Sequence, residues 1–167
     1  MRLIKLFFIS VLFLGLFLTA FSLLFPPHLH IARNVNISSS QQKVFSVIDD
    51  LHTWIKWNKF VNDSVLTDLK ISSDGQTATS GQLDIFLQKD SLGGITILWK
   101  KHNGKQFSGG FKFLQLHADN ITVQWYFDFT FKWYPWEKFG SLVFDKQFQP
   151  VMEESLHNLK LLIENNP

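Results

Sequence analysis

The side chains that could act as acids, bases or metal ligands are few and widely separated in this sequence. His28 and His30 have a spacing that suits a metal ion, but no Cys, Asp or Glu nearby completes a ligand set. The adjacent acids Asp49-Asp50 and Glu153-Glu154 are typical of a helix end and of a solvated helix face. No phosphate-binding loop, dinucleotide fingerprint or nucleophile elbow is present. The sequence therefore predicts no catalytic residue, no metal site and no cofactor.

The composition excludes further classes of chemistry. The chain has no cysteine, which removes thiolate catalysis, disulfides and a lipid-modified cysteine. It has 16 Lys and Arg residues against 14 Asp and Glu residues, and the two signs balance once Arg2 and Lys5 are set apart. A neutral domain lacks the basic excess that displaces counterions from phosphates. We therefore expect no nucleic-acid partner.

The aromatic residues of the chain follow patterns that predict two apolar surfaces. Every odd position between 121 and 131 is apolar and the even positions are mostly polar, which predicts a strand with one aromatic face and one wet face carrying Asp128. A second apolar stripe, at helical spacing, consists of Phe148, Met152, Leu156, Leu159 and Ile163. Pro150 lies within this stripe, so the helix is expected to begin near it or to kink there. The helix would cover the aromatic face of the strand.

The remaining elements must hold these two surfaces together. Residues 31–37 alternate like a strand, and helical spacing follows over 44–48 after the capping serines 38–40, with a second short helix expected over 51–57. From residue 64 the period changes to two, which predicts strands over 65–71, 83–87, 95–99 and 107–117. Asn103-Gly104 is a strong hairpin signal. The predicted order is strand, two short helices, antiparallel meander and long terminal helix.

The first 27 residues form a separate element. The twenty residues from Leu6 to Phe25 carry no charge, and as a helix they would reach about 30 Å, the thickness of a bilayer's hydrocarbon core. Arg2 and Lys5 precede this run, so the positive-inside tendency keeps the N-terminus in the cytoplasm and places residues 28–167 in the periplasm or outside the cell. The alternative is a cleavable signal peptide, whose apolar region is usually about 7–15 residues long. Residues 1–27 are interpreted as a single-pass membrane anchor and 28–167 as one domain.

Two segments carry a resemblance to a known superfamily. The first is Val44-Phe45-Ser46-Val47-Ile48-Asp49-Asp50 followed by Trp54-Ile55-Lys56-Trp57-Asn58, and the second is Ser155-Leu156-His157-Asn158-Leu159-Lys160. With the order of elements, they resemble the START and birch-pollen-allergen-like proteins, also called SRPBCC or helix-grip proteins, and in particular bacterial polyketide cyclase or dehydrase-like members. The Gly-rich centre usual in these proteins is reduced here to Gly109-Gly110. The resemblance implies an α+β helix-grip fold, a curved antiparallel sheet wrapped around a long C-terminal helix.

The resemblance also implies a hydrophobic cavity between the sheet and the terminal helix. A strongly curved sheet cannot close completely on one helix, and a ligand-binding cavity would be lined by Trp57, Trp99, Phe111, Phe113, Trp125, Phe127, Phe129, Phe148 and Met152. The same side chains could instead fill the space as a packed core. Trp57 in particular could anchor the core beneath the first helix or contact a ligand.

The sequence favours a membrane-anchored binding domain for a small hydrophobic ligand, lipid-like or aromatic, that catalyses no reaction. A binding module needs only an apolar pocket, whereas an enzyme needs an acid or base within reach of the substrate. Two alternatives stay open: a protein-interaction scaffold with a filled core, and a cyclase or dehydrase-type enzyme. Protein partners are not indicated by any motif.

Overall fold

The computed structural model of the chain describes residues 2–24, 26–62, 66, 68–90, 93–117, 119–132 and 135–165. The helices are α1 (Arg2–Ser22), α2 (Gln41–Ile48), α3 (Leu51–Trp57), α4 (Lys59–Asn62) and α5 (Pro135–Glu164). The strands are β1 (His28–Ile37), β2 (Lys70–Ile71), β3 (Thr77–Thr79), β4 (Leu83–Lys89), β5 (Ile95–Lys101), β6 (Gln106–His117) and β7 (Asn120–Thr130).

The strands form one seven-stranded antiparallel sheet in the order β1-β7-β6-β5-β4-β3-β2. All consecutive strands from β2 to β7 are neighbours, and β1 crosses over to pair with β7 from His28 opposite Thr130 to Ile37 opposite Ile121. The sheet is curved, and α5 packs along it. The predicted α+β architecture and order of elements are confirmed.

Two glycines allow the sheet to coil tightly at its centre. A Cβ on Gly109 would lie 2.6 Å from the carbonyl oxygen of Tyr126, and a Cβ on Gly110 would lie 2.3 Å from that of Ile95. Both distances are shorter than a van der Waals contact, so only glycine fits where the neighbouring strands approach so closely. Any side chain at these two positions would force the neighbouring strands apart.

The Asn103-Gly104 hairpin forms as predicted. Gly104 has a φ of 82°, a left-handed conformation that glycine adopts without strain, and its N–H donates to the carbonyl of Lys101 at 3.0 Å. The N–H of Lys101 donates to the carbonyl of Lys105 at 2.8 Å and closes the turn between β5 and β6.

The acid pair at the corner between α2 and α3 has the capping role that the sequence indicates. Asp49 is the C-terminal cap residue of α2, and the carboxylate of Asp50 caps α3 by accepting the N–H of His52 at 2.9 Å. At the start of α2, the Ser40 hydroxyl accepts the N–H of Lys43 at 3.5 Å. Local capping chemistry thus fixes the turn between the two short helices.

The terminal helix is longer than expected. The prediction that it could begin near Pro150 is wrong: α5 begins at Pro135, and Pro150 lies inside it. Proline suits the first helical position, where its fixed φ is helical and its missing N–H would have no partner anyway. Pro150 is exposed, so water can solvate the carbonyl that it leaves without a hydrogen bond.

Strand β7 has the two faces that its sequence predicts. Residues at odd positions from 121 to 129 are buried, and Asp128 on the opposite face is exposed. Of the strand expected over 65–71, only Lys70–Ile71 is extended in a sheet. Residues 65 and 67 of that expected strand lie outside the described part of the chain.

Helix α1 stands apart from this packing. Its large apolar side chains are exposed from Leu3 to Phe21, but Ser22 in the last turn is fully buried and that end of the chain contacts α5. Within the described residues, α1 is the helix that is long and apolar enough to span a membrane.

Candidate functional site

The aromatic interior of the domain lies between the sheet and α5. We use this name for the side chains of Trp54, Trp57, Phe60, Trp99, Phe107, Phe111, Trp125, Phe127, Phe129, Phe148 and Met152. They come from β5, β6, β7, the short helices α3 and α4, and the terminal helix. Segments far apart in the sequence therefore meet in one place.

All of the predicted lining residues except Phe113 belong to the aromatic interior. Trp57, Trp99, Trp125 and Phe127 are at most 2% exposed, and Met152 is fully buried. Phe113 lies farther along β6, where its half-buried ring packs 5.6 Å from that of Phe45 in α2. The sequence pattern placed it on the correct face of the sheet but too near the centre.

The rings pack against each other at short range. The ring of Trp125 lies 5.2 Å from that of Phe111 and 5.3 Å from that of Phe127, centroid to centroid. Phe148 of α5 lies 5.4 Å from Phe127 and 5.1 Å from Phe129. These are ordinary distances for edge-to-face and offset-stacked pairs. The rings therefore occupy much of the space in which a cavity was expected.

Four buried tryptophans differ in how their indole N–H groups are satisfied. The Nε1 atom of Trp54 donates to the carbonyl of Ile48 at 2.8 Å. The Nε1 atoms of Trp57, Trp99 and Trp125 are buried and have no hydrogen-bond partner among the described residues. Burying such a donor without an acceptor costs about 1–3 kcal/mol. The interior thus holds three donors that still lack an acceptor.

Local structure explains why Trp54 alone is satisfied. The last carbonyls of α2 have no partner within their own helix. Trp54 and Thr53 are the side chains that supply one: the Trp54 indole bonds the carbonyl of Ile48, and the Thr53 hydroxyl bonds that of Val47. The other three indoles lie on β5, on β7 and at the last residue of α3, and none of them reaches an acceptor among the described residues.

Asn58 adds a fourth donor beside Trp57. It is fully buried, and its Oδ1 atom accepts the N–H of Phe60 at 3.0 Å. Its Nδ2 atom has no partner among the described residues. These four atoms are all donors, whereas the other two buried side-chain atoms without a partner, Asp49 Oδ1 and Asn120 Oδ1, are acceptors outside the aromatic interior.

Phe60 is a central residue that the sequence analysis missed. It is half-buried, and its ring lies 5.6 Å from Trp125, 5.7 Å from Phe127 and 5.3 Å from Phe148. It stands on the four-residue helix α4, which is joined to α5 by a hydrogen bond from the Lys59 N–H to the Ser155 hydroxyl at 2.8 Å. Helical spacing from Trp57 could not have identified Phe60, because α3 ends at Trp57 and Phe60 stands on a separate short helix.

Phe107 was also missed as a member of the interior, and Trp54 of α3 joins Trp57 there. Phe107 stacks on Trp99 at 5.8 Å and 6°, as its cross-strand neighbour at the start of the hairpin. Trp54 lies 5.3 Å from Trp57 and 6.2 Å from Trp99. The alternation over 107–113 could have identified Phe107, since it shares a face with Phe111.

Two pockets open on the surface of the domain. One, of about 430 Å³, is lined by Leu66, Gly81, Gln82, Leu83, Lys101, His102 and Asn103, and the other, of about 500 Å³, by Ser40, Gln41, Gln42, Phe45 and Gln115. Rings of the aromatic interior line neither pocket.

Most of the described titratable groups are exposed on the sheet's outer face, at its ends or on the helices, whereas Lys138 of α5 is buried. His30 Nδ1 is 2.6 Å from Asp128 Oδ1, and the His30 ring stacks on Tyr126 at 5.7 Å. Partial burial raises the pKa of Tyr126, and its hydrogen bond with Thr96 opposes this effect. Every described Asp, Glu and His is at least partly exposed, and no cluster of three such residues within the described chain could hold a metal ion.

Comparison with solved structures identifies the fold. A START superfamily protein from Mycobacterium smegmatis matches with a TM-score of 0.60 and 12% identity, covering 83% of this chain and 99% of that protein. The di-domain aromatase/cyclase BexL from the BE-7585A biosynthetic pathway matches with a TM-score of 0.61 and 12% identity, over 83% of this chain and 48% of BexL. Norcoclaurine synthase from Thalictrum flavum, solved with dopamine and hydroxybenzaldehyde, matches with a TM-score of 0.57 and 8% identity over 84% of this chain and 88% of the synthase.

These similarities show that the chain has the START-like helix-grip fold. The predicted superfamily resemblance is thereby confirmed at the level of the fold. No protein-family model matches the sequence, and no curated protein matches it significantly.

Proposed function

We propose that this chain is a membrane-anchored binding domain for a small, largely apolar molecule that carries a hydrogen-bond acceptor. The aromatic interior is the binding site, and the bound molecule undergoes no covalent reaction there. Residues 1–27 hold the domain at the membrane, and residues 28–167 lie on the periplasmic or extracellular side.

The observation that carries the proposal is the set of buried donors without acceptors. Native proteins satisfy the large majority of their buried polar groups, so each exception needs an explanation. Among the described residues, the buried donors without an acceptor are the indole N–H groups of Trp57, Trp99 and Trp125 and the amide of Asn58, while Asp49 Oδ1 and Asn120 Oδ1 outside the aromatic interior lack a donor. A carbonyl, ester or ether oxygen would satisfy the donors, while the rest of the ligand would contact aromatic rings. An aromatic ketone and a fatty acyl ester are ligands of this kind.

Entry of a ligand requires a ring to move, because the interior rings are in contact. Phe60 is the ring best placed to do so. It is half-buried, whereas Trp125 and Phe127 beneath it are at most 1% exposed, and it stands on the single turn of α4. A rotation of this side chain would uncover Trp99 and Trp125, which lie 6.4 and 5.6 Å from it.

The distribution of titratable groups favours binding over catalysis. A general acid or base must lie within hydrogen-bond reach of the reacting atom. The described carboxylates and imidazoles, such as Asp128 and His30, lie on the outer face or at the edges of the domain. The enzyme alternative would need one of them to enter the interior.

The membrane topology rests on the N-terminal segment. Arg2 and Lys5 precede the apolar helix α1, which favours a cytoplasmic N-terminus. The length of the apolar run favours an uncleaved anchor. Determining the N-terminal residue of the mature protein tests this part: Met1 or Arg2 in a carbonate-washed membrane fraction supports the anchor, and a soluble protein beginning near Leu23 overturns it.

A pair of matched probes tests the binding site. Fluorenone and fluorene have nearly the same shape, but only fluorenone carries a carbonyl acceptor. The full-length chain in detergent micelles, with nitrogen-15 in its tryptophan indoles, would be titrated with each. We expect fluorenone to shift the indole proton signals of Trp99 or Trp125 downfield and to raise Tm more than fluorene does. The signal of Trp54, which is already bonded, should move little.

Variants supply the controls. Trp99→Phe removes one donor but keeps a ring, so it should reduce the advantage of fluorenone over fluorene, while Trp54→Phe should not. Phe60→Ala should increase the effect of both probes because it opens the interior. Equal effects of the two probes would disprove recognition of an acceptor. If neither probe acts on the native chain or on Phe60→Ala, the domain is a filled-core scaffold.

A further inference from the structure

The register of the sheet places the β5–β6 hairpin at the end of the domain where the chain leaves the membrane. β1 starts at His28, close after α1, and His28 lies opposite Thr130 at the end of β7. The end of β7 is next to the start of β6, and the start of β6 pairs with the end of β5 through Lys100 and Gln106. Three strand spacings separate β1 from β5, about 14 Å in all.

Contacts of α1 fix this end relative to the anchor. Ser22 is fully buried in the last turn of α1, and α1 contacts α5. The Phe131 N–H, directly after β7, donates to the carbonyl of Pro27 at 2.8 Å. The connection between α1 and the domain is therefore held by the fold, and this end of the sheet is the one from which the chain leads back to α1.

The hairpin at this end is basic and fully exposed. Lys100, Lys101 and Lys105 lie within six residues around the turn, together with His102. Lys105 pairs with Glu137 at 3.4 Å and His102 with Asp84 at 3.1 Å. Lys100 and Lys101 form no ion pair with any described residue. Two cations are thus available at the tip, although the domain as a whole is neutral.

A concave surface adjoins these cations. The pocket of about 430 Å³ is lined by Lys101, His102 and Asn103 of the hairpin and by Leu83 and Gln82 at the start of β4. Leu83 lies directly opposite Lys101 in the sheet. The pocket therefore combines a cation with an apolar wall, as the boundary between headgroups and acyl chains requires.

We propose that the β5–β6 hairpin rests on the membrane surface and binds anionic phospholipid headgroups through Lys100 and Lys101. This inference rests on the proposed anchoring by α1 but not on the proposed ligand of the aromatic interior. Anionic headgroups attract exposed lysines within about a Debye length, roughly 8–10 Å at moderate salt, and the hairpin lies at the end of the sheet from which the short connection leads back to α1. The contact would orient the domain on its anchor.

Depth-dependent quenching in nanodiscs tests the proposal on the full-length chain. Because the protein has no cysteine, Asn103→Cys provides a unique site for a bimane label at the hairpin tip. Ser73→Cys, in the turn between β2 and β3 at the opposite end of the sheet, is the control. The discs contain phosphatidylcholine alone or an equimolar mixture with phosphatidylglycerol, each with a headgroup-nitroxide lipid as quencher.

We expect quenching of the Asn103 label to rise about twofold or more in the anionic discs and to fall again in high salt, with little change at Ser73. The charge reversals Lys100→Glu and Lys101→Glu together should abolish the rise. Reversal of two other exposed lysines, Lys56→Glu and Lys146→Glu, should leave it intact. Equal quenching of the two labels would overturn the proposal. A rise in quenching that persists in the Lys100→Glu, Lys101→Glu variant would also overturn it. Loss of the chain from the discs would instead disprove the anchor, and the hairpin proposal with it.

Discussion

The two faces of strand β7 differ in whether their polar side chains have hydrogen-bond partners. On the exposed face, Asp128 pairs with His30, the hydroxyl of Thr122 donates to Asn36 at 2.8 Å, and Tyr126 bonds Thr96. On the buried face, the indole of Trp125 has no acceptor. Water can satisfy the exposed groups without help, whereas it cannot reach the buried one.

This contrast is the reverse of what stability alone would produce. Exposed pairs contribute little, about 0–1 kcal/mol, and an unpartnered buried donor costs more than that. The unsatisfied donors Trp57, Trp99 and Trp125 lie in the interior between the sheet and α5. Their cost is the reason why the proposed binding site is assigned to this face.

The largest expected effect tests whether the two faces are correctly assigned. Phe127→Ala removes a ring that is 1% exposed and packs against Trp99, Trp125 and Phe148. It should lower the free energy of unfolding by about 3–5 kcal/mol. Thr130→Ala, on the exposed face of the same strand, should change it by less than about 0.5 kcal/mol. Denaturant unfolding of both variants provides the measurement, and similar losses would show that the contrast between the faces is false.

The strand faces were predictable because their period is local. Alternation over 121–131 assigned every buried position of β7, and the Asn-Gly pair located the β5–β6 turn. The extent of α5 was not predictable in the same way. Pro150 normally marks a helix boundary, and only its exposure in the folded domain explains why the helix runs through it.

The interior was predictable in composition but not in detail. The pattern named Trp99, Trp125 and Phe148 as neighbours, since each lies on an apolar face. It could not show that Phe60 occupies the centre, because that depends on how α4 docks on α5 through Ser155. Nor could it show which indoles lack acceptors, since hydrogen bonding of a side chain depends on contacts between distant segments.

A second prediction compares a satisfied indole with an unsatisfied one. Trp54→Phe and Trp99→Phe remove the same atoms from buried rings, but only the first also leaves the carbonyl of Ile48 without its donor. Trp54→Phe should therefore destabilise the unliganded chain by about 1–3 kcal/mol more than Trp99→Phe. Thermal and denaturant unfolding would measure the difference. Equal losses would mean that Trp99 also has an acceptor in solution, and the contrast between the four tryptophans would disappear.

The smallest expected effect on stability comes from the carboxylate of Glu137, a hydrogen-bonded charge outside the aromatic interior. Glu137 accepts the N–H of Lys132 at 2.9 Å, and this hydrogen bond, assisted by Lys105, lowers the pKa of its carboxyl below the ordinary 4.5. The carboxylate therefore contributes stability above the ordinary pKa, and this contribution is lost as the pH falls through the lowered value. Glu137→Gln should reduce Tm by at most a few degrees at neutral pH and by nothing in strong acid. Melting curves from pH 7 downward would check this, and Lys105→Met should reproduce only a minor part of the change. A gap between native and variant that widened toward acid would contradict the sign of the shift.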